Sequence, residues 1–361
     1  MVEWKKLEDV CKVLTGGDAP LDCIKGQTEP SAENPYPVYS NGDEVYGFCP
    51  SYRVSVDAVT ISSIGNVGSV NYRSANFTPI IRLKVVVPSI PNLKTKYLYY
   101  TLLGYRFIGT NSSLSSMKAA DIKRLSIPLP SLSEQERIVG ILDTFTSSIE
   151  NLKAQISLRR KQYEHYRDKL LDLEGKPGVE MKTLGEVCEV INGRAYSQPE
   201  LLSEGKYRVL RVGNFFSNDS WYYSNLELED KYYCNKGDLL YAWSASFGPH
   251  IWEEEKTIYH YHIWKMNCSN KIYMKYMYYW LQSEDMKGKA FGRLHGATMA
   301  HLTKALMESL QVPLPSLEEQ SRIVSILDEF EASIKNLEAQ LEARQKQYEY
   351  YREKLLTFKR E

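Results

Sequence analysis

Beyond Ser131, apolar side chains fall three or four residues apart at Ile138, Leu142, Phe145, Ile149, Leu152 and Ile156, and again at Tyr163, Tyr166 and Leu170. The same series returns at Ile323, Leu327, Phe330, Ile334, Leu337, Leu341, Tyr348, Tyr351 and Leu355. This is the seam of a coiled coil, and it lapses once in each copy, at Arg159 and at Arg344. An arginine in such a seam costs stability but fixes register, because a slipped pairing would bury it without a partner. Pro128 and Pro130 hold the entry extended, and Ser131 with Glu134 has the spacing of a capping box; Pro313, Pro315, Ser316 and Glu319 repeat it. Two helices of about 40 residues are predicted, each roughly 60 Å long at 1.5 Å per residue.

The two helices belong to one duplicated text. Ile127 to Leu171 recurs as Val312 to Leu356 without a gap, with 30 of 45 residues identical. The openings also match, Trp4 to Gly17 with Met181 to Arg194, which pairs Leu7 with Leu184, Val10 with Val187 and Cys11 with Cys188. Ungapped repetition of this kind implies two copies of one supersecondary unit whose length matters. Neither seam is expected to hide along its whole length on its own small globule, so the helices are expected to pack on each other. Equivalent halves joined in this way tend to a pseudo-twofold axis and an antiparallel pair. Pairing between separate chains is the competing arrangement.

Between the constant parts the halves diverge. From Leu14 to Ser126, strand-like runs alternate with turns: Ala58 to Ile64 alternates, and Gly65-Asn66 with Gly68 predicts a tight turn before Ser69 to Tyr72. A helix is expected near Thr95 to Phe107. The second globule repeats the order, with strands around Arg208 to Val212 and Leu239 to Trp243 and a helix near Lys271 to Leu281. Each globule is predicted to be a small mixed α/β module, and the fold class is α+β. The predicted domains are 1–126, 127–174, 175–311 and 312–361, with the long helices in the second and fourth.

With 45 basic and 45 acidic side chains, no whole-chain field draws the protein to a polyanion, so any nucleic-acid surface must come from local clustering. The 27 tyrosines suit a binding surface, with an apolar ring and a polar tip, and equally suit β-structure. Six cysteines show neither a C-x-x-C pair nor metal-ligand spacing, which points to reduced, buried thiols and no metal. No signal-peptide pattern and no apolar run of membrane-spanning length is present, so a cytoplasmic protein is expected. P-loop, dinucleotide and zinc-protease motifs are missing. Asn34-Pro35-Tyr36-Pro37 has some likeness to an adenine-methyltransferase tetrad, but its second proline is displaced, and it is read as a loop. His260 and His262 lack the companions that would complete a metal site.

Side chains able to read base edges or grip phosphates crowd the predicted turns: Tyr52, Arg53, Asn71, Tyr72, Arg73, Ser115 and Lys118 in the first globule, and Arg211, Asn214, Trp243, Ser244, Arg293, His295 and Lys304 in the second. Solvated loops would carry many of the same residues. The distal helix ends keep Lys161, Gln162, Glu164 and Arg167, and Lys346, Gln347, Glu349 and Arg352, at positions that seam packing does not require. They read either as a docking face for partner subunits or as an ordinary solvated flank.

The segment P-L-P-S-L-x-E-Q-x-R-I-V-x-I-L-D, from Pro128 to Asp143 and again from Pro313 to Asp328, resembles the conserved regions of specificity (S) subunits of bacterial type I restriction-modification enzymes. The alternation of variable and constant parts extends the resemblance along essentially the whole chain, and Ser112 to Lys118 and Gly296 to Lys304 look like that family's loops late in each head. The resemblance implies two target-recognition domains, each reading one half of a split, asymmetric site on double-stranded DNA. It implies that the helix pair sets the gap between the halves. It further implies a chain without catalysis or cofactor of its own, which recruits two modification subunits using S-adenosylmethionine and two restriction subunits using ATP and Mg. A helical scaffold with two protein- or carbohydrate-binding heads, and an autonomous methyltransferase, are the alternatives.

Overall fold

The computed structural model describes residues 2–105, 117–216, 218–244, 246–291 and 302–359. The chain forms two compact units, Met1–Lys153 with Ala339–Glu361, and Ala154–Glu338. In the first unit, an antiparallel sheet runs in the order Cys11–Thr15, Lys84–Pro88, Ala58–Ile61, Val70–Arg73. The predicted hairpin joins the last two strands. The expected alternation along Ala58–Ile61 is absent, because this inner strand is covered on both faces and all four residues are buried. Thr60 meets the resulting polar cost by donating its hydroxyl to the Asn71 carbonyl at 3.4 Å.

A second sheet of the first unit runs Ile24–Lys25, Val45–Cys49, Tyr36–Tyr39, Thr78–Pro79. The reading of Asn34 to Pro37 as a loop is thereby corrected, since Tyr36 and Pro37 open a strand opposite Cys49 and Phe48. Pro37 is tolerated there because the strand's other neighbour, Thr78–Pro79, pairs only from Val38 onward.

The short strand Glu3–Lys6 pairs with Ser126–Leu129, which delivers the chain into the first long helix, Leu132–Leu171. Ser131 accepts from the Glu134 amide at 3.3 Å, but the Glu134 carboxylate turns to Arg137, so half of the expected capping box forms. Ser316, Glu319 and Arg322 repeat this at the start of the second long helix, Leu317–Leu356. The first seam residues, Ile138 and Leu142, are fully buried in the core of the head itself, beside Val59, Tyr97, Leu98 and Ile127. The seam is therefore divided: its opening turns serve the head, and its later turns serve the other helix.

The second unit repeats this plan. Its main sheet runs Cys188–Asn192, Ile263–Cys268, Leu239–Ser244, Ser246–Ile251. Its second sheet runs Tyr222–Ser224, Tyr207–Leu210, Thr257–Tyr259, Tyr233–Cys234. Glu180–Thr183 pairs with Gln311–Leu314 ahead of the second long helix, and Ile323 and Leu327 sink into this head's core with Tyr276, Met277 and Trp280. The head helices Thr95–Leu103 and Met274–Trp280 are shorter than expected but lie where the sequence placed them.

Within each unit the early part of one long helix lies against the late part of the other, and the pair is antiparallel. In the first unit, Phe145 stacks on Tyr351 at 5.4 Å, with the Arg344 guanidinium 5.6 Å from the Phe145 ring. In the second, Phe330 stacks on Tyr166 at 5.5 Å, with Arg159 5.8 Å away. The two seam arginines thus meet the aromatic ring of the facing helix, an attraction that lessens the cost of placing charge there. All six cysteines are free, and no helix of the described residues is long and apolar enough to cross a membrane.

Candidate nucleic-acid interface

Each head is fastened to its long helix by the same set of bonds. Gln135, wholly buried on the helix face that meets the head, accepts from the Lys94 amide at 2.9 Å and donates to the carbonyls of Asn92 (2.8 Å) and Pro130 (2.9 Å). Gln320 does the same with the Tyr273 amide (2.9 Å) and the carbonyls of Lys271 (3.1 Å) and Pro315 (2.9 Å). Tyr97 and Tyr276 donate to the carbonyls of Pro128 and Pro313. Asp143 receives Lys96 and Tyr100, and Asp328 receives Lys275 and Tyr279. Burial first, and then the bond to Asp143 for Tyr100 and to Asp328 for Tyr279, leaves both phenols harder to ionise than usual, while Thr146 offsets part of the effect on Tyr100. The sequence reading missed these clamps. Their signal was an uncharged polar residue kept in both copies on the inward face of a helix.

In the first head, Tyr52 is exposed and packs edge-on to Tyr36, and Arg53 is exposed and donates to the Asp18 carbonyl at 3.0 Å. Tyr72 donates to Asp57 in a short bond, and burial followed by that contact raises its pKa. Asn71 and Ser69 both donate to Asp43, which holds the Asp43 carboxyl below its usual range. Arg73 is a correction. It is not an exposed turn residue but is buried, 3.9 Å from the centre of the Tyr39 ring, and donates to the Asp43 carbonyl, so it organises the head from within. Lys118 is exposed at the start of a short helix, Ala119–Lys123. Ser115 lies outside the described residues.

In the second head, Arg211 is exposed and leans over Tyr222 at 5.3 Å. Asn214 spends its amide inside its own turn, accepting from the Arg211 amide and donating to the carbonyls of Asn218 and Ser220. Both its amide oxygen and its amide nitrogen are engaged within the turn. Trp243 donates to the Tyr261 carbonyl at 2.9 Å and sits in an aromatic group with His262 and Trp264, and Ser244 follows it at the hairpin end opposite Ser246. Burial, with His262 and Arg211 nearby, lowers the His260 pKa to about 4. Lys304 opens the helix Lys304–Ser309 and pairs with Glu308. Arg293 and His295 lie outside the described residues, and among the described residues no cluster of His, Cys, Asp or Glu could hold a metal ion.

Of the docking candidates, Lys161, Glu164, Lys346, Gln347 and Glu349 are exposed, whereas Gln162 and Arg352 are half-buried. Arg167 is a further correction: it is buried, paired with Asp168 and Glu284 and set against the Tyr163 ring. The outer aromatic face of the helices was not anticipated. Tyr351 is 41% exposed and Tyr166 43%, each over the phenylalanine of the opposite helix. In the first unit, Ile141, Phe145, Tyr351, Leu355 and Phe358 line a groove of about 560 Å³ rimmed by Glu134, Arg137 and Lys354.

A doubled module, each copy a two-sheet head of differing sequence clamped on a long helix of largely repeated sequence, defines the class of protein. The family model described as the type I restriction modification DNA specificity domain matches residues 1–159 and 177–344, and the chain belongs to this family. It is 28% identical over 99% of its length, and 96% of the relative's, to a Haemophilus influenzae protein assigned as a type I restriction enzyme specificity subunit. An Escherichia coli type I restriction enzyme specificity subunit is 28% identical over 76% of this chain and 74% of its own length. The crystal structure of an S subunit from M. genitalium shares the fold, with a TM-score of 0.62 at 19% identity over 99% of this chain and 97% of that one. A chain from a structural study of type I complex assembly and conformational transition has a TM-score of 0.61 at 17% identity, over 98% and 96%.

Proposed function

We propose that this chain is the sequence-reading, non-catalytic subunit of a type I restriction-modification complex. Each head reads one half of a bipartite DNA site, and the paired helices set the gap. The observation that carries the reading is the repeated clamp: Gln135 and Gln320 hold unlike heads on like helices through the same bonds. A frame that repeats while its heads differ presents two unlike readers in a set order, so the half-sites differ and the target is asymmetric.

Two methylase subunits dock on the helices, using the exposed aromatic faces around Tyr166 and Tyr351, and two restriction subunits complete the assembly. S-adenosylmethionine, ATP and Mg belong to those partners, and flipping the target adenine falls to the methylase. With balanced charge, the free chain holds DNA weakly and gains affinity within the complex. Replacing residues 14–126 with the corresponding head of a related subunit tests the reading, by mapping modified adenines in cells that carry the complex. One half of the split motif changes and the other is retained. A change in both halves, or in neither, contradicts it.

A further inference from the structure

The head strands align residue for residue. Cys11 pairs with Pro88 and Cys188 with Cys268, so Lys84 corresponds to Trp264, and the two residues at 81 and 82 correspond to those at 261 and 262. In both heads these two residues form a tight turn immediately before the strand next to the sheet edge. Its frame repeats. Ile80 bridges to Gly17 and His260 to Arg194, and the amides of Ile81 and Tyr261 donate to the carbonyls of those same residues. The turn also lies on a glycine in each copy. A Cβ on Gly16 would come within 2.8 Å of the Ile80 nitrogen, and one on Gly193 within 2.6 Å of the Tyr259 oxygen. Glycine allows this approach of backbone to backbone.

The carbonyls at the tip are tied down in both heads, though by different means. Asn41 donates to the Ile81 carbonyl and Ser63 to the Arg82 carbonyl. In the second head, the Trp243 indole donates to the Tyr261 carbonyl and the Trp243 amide to the His262 carbonyl. In the first head the turn also holds Ile81 at φ 51° and Arg82 at φ 60°. A β-branched residue in this left-handed region is strained, and such strain persists only where surrounding bonds over-determine it. With the backbone fixed, three of the four side chains point outward, Ile81 47% exposed, Tyr261 39% and Arg82 exposed, while His262 is half-buried against Trp243. The Arg82 guanidinium has neither a hydrogen bond nor an ion pair among the described residues. Arg53 lies beside the first turn, its guanidinium near Gly17, and Arg211 and Trp243 lie beside the second.

We propose that these paired turns, Ile81-Arg82 and Tyr261-His262, are the specificity-determining contacts of the two heads, each entering the major groove of its own half-site. The inference rests on the DNA-reading function proposed above. A fixed frame carrying different tips is what distinguishes one sequence from another: a guanidinium reads guanine through two bonds, and an isoleucine side chain meets a thymine methyl. Neither turn was read as a DNA contact from the sequence, where His262 was weighed only as a metal ligand, because the exposure of each turn depends on pairings more than 60 residues apart.

Arg82→Ala, Arg82→Lys and Tyr261→Ala, each assembled with methylase subunit, are tested for binding across a library of randomised duplexes. Both Arg82 variants lose roughly tenfold to a hundredfold discrimination at one or two adjacent base pairs of one half-site and leave the other half unchanged. Tyr261→Ala does the reverse, and all three keep the parent's denaturation midpoint. Base preferences within about threefold of the parent, or an even loss of binding across all sequences that Arg82→Lys restores, overturn the proposal. A parent complex with no sequence preference removes the DNA reading itself.

Discussion

Replacing Gln135 with leucine is the sharpest perturbation of the frame. The side chains are similar in size and the site is fully buried, so the change removes hydrogen bonds with little change in volume. It strands one amide, that of Lys94, and takes one partner from each of the carbonyls of Asn92 and Pro130. Lys94 and Asn92 are exposed residues whose bonds to Gln135 are part-buried, so water offsets part of the loss, and with the buried Pro130 carbonyl the cost is about 1–3 kcal/mol in the first unit. The exposed Lys94–Glu136 ion pair, 2.6 Å long in the same region, supplies the control, since Glu136→Ala changes stability by no more than about 1 kcal/mol. Native-state hydrogen exchange reads the bond directly: the Lys94 amide of Gln135→Leu exchanges at least about a hundredfold faster, whereas the Tyr273 amide, held by Gln320, keeps its protection. If the Lys94 amide exchanged at the parent rate and stability fell by less than about 1 kcal/mol, the glutamine would not be holding the head to its helix.

Inserting one heptad into each long helix moves the register by about 10 Å, up to about three base pairs of DNA, and lengthens the tolerated gap with both half-sites retained; an unchanged gap in the modification map removes the spacer role. Arg73→Ala destabilises the first unit by about 2–4 kcal/mol in denaturant titration, because it empties a buried site under Tyr39, while Arg53→Ala leaves stability within about 0.5 kcal/mol and weakens DNA binding; equal stability losses would contradict these placements. His260 is neutral when folded, its pKa lowered to about 4 from 6.5 by burial and by His262 and Arg211. The unfolded chain therefore takes up the proton first. The second unit keeps this contribution above about pH 6.5 and loses it as pH falls toward 4, and His260→Gln flattens that fall in melting temperature. A parent and variant with parallel pH profiles would show that His260 is not the group responsible.

What could be read in advance was local or periodic. The long helices were legible because their seam and caps lie within one stretch of chain, and the repetition confirmed each feature twice. The head helices were legible from their apolar runs. Burial in the sheets was harder, since it is set by partners far along the chain. Arg73 and Asn71 look from the sequence like residues of an exposed turn, but Val70–Arg73 is a strand whose end folds over Tyr39 and Asp43. Asn214 and Arg167 are equally polar in sequence, yet one closes its own turn and the other is enclosed by Asp168, Glu284 and Tyr163. The outward aromatics Tyr166 and Tyr351 were read as seam because they keep its spacing. They stand at its edge, each covering a phenylalanine on one side and facing solvent on the other.

The central claim is that one chain carries two unlike DNA readers held by a common frame. Long-read mapping of modified adenines, in cells carrying methylase subunit with and without this chain, tests it most directly. The account predicts one split motif with unlike halves and a single gap length, present only when the chain is expressed. A continuous or symmetric motif, or a motif that persists without the chain, would contradict it.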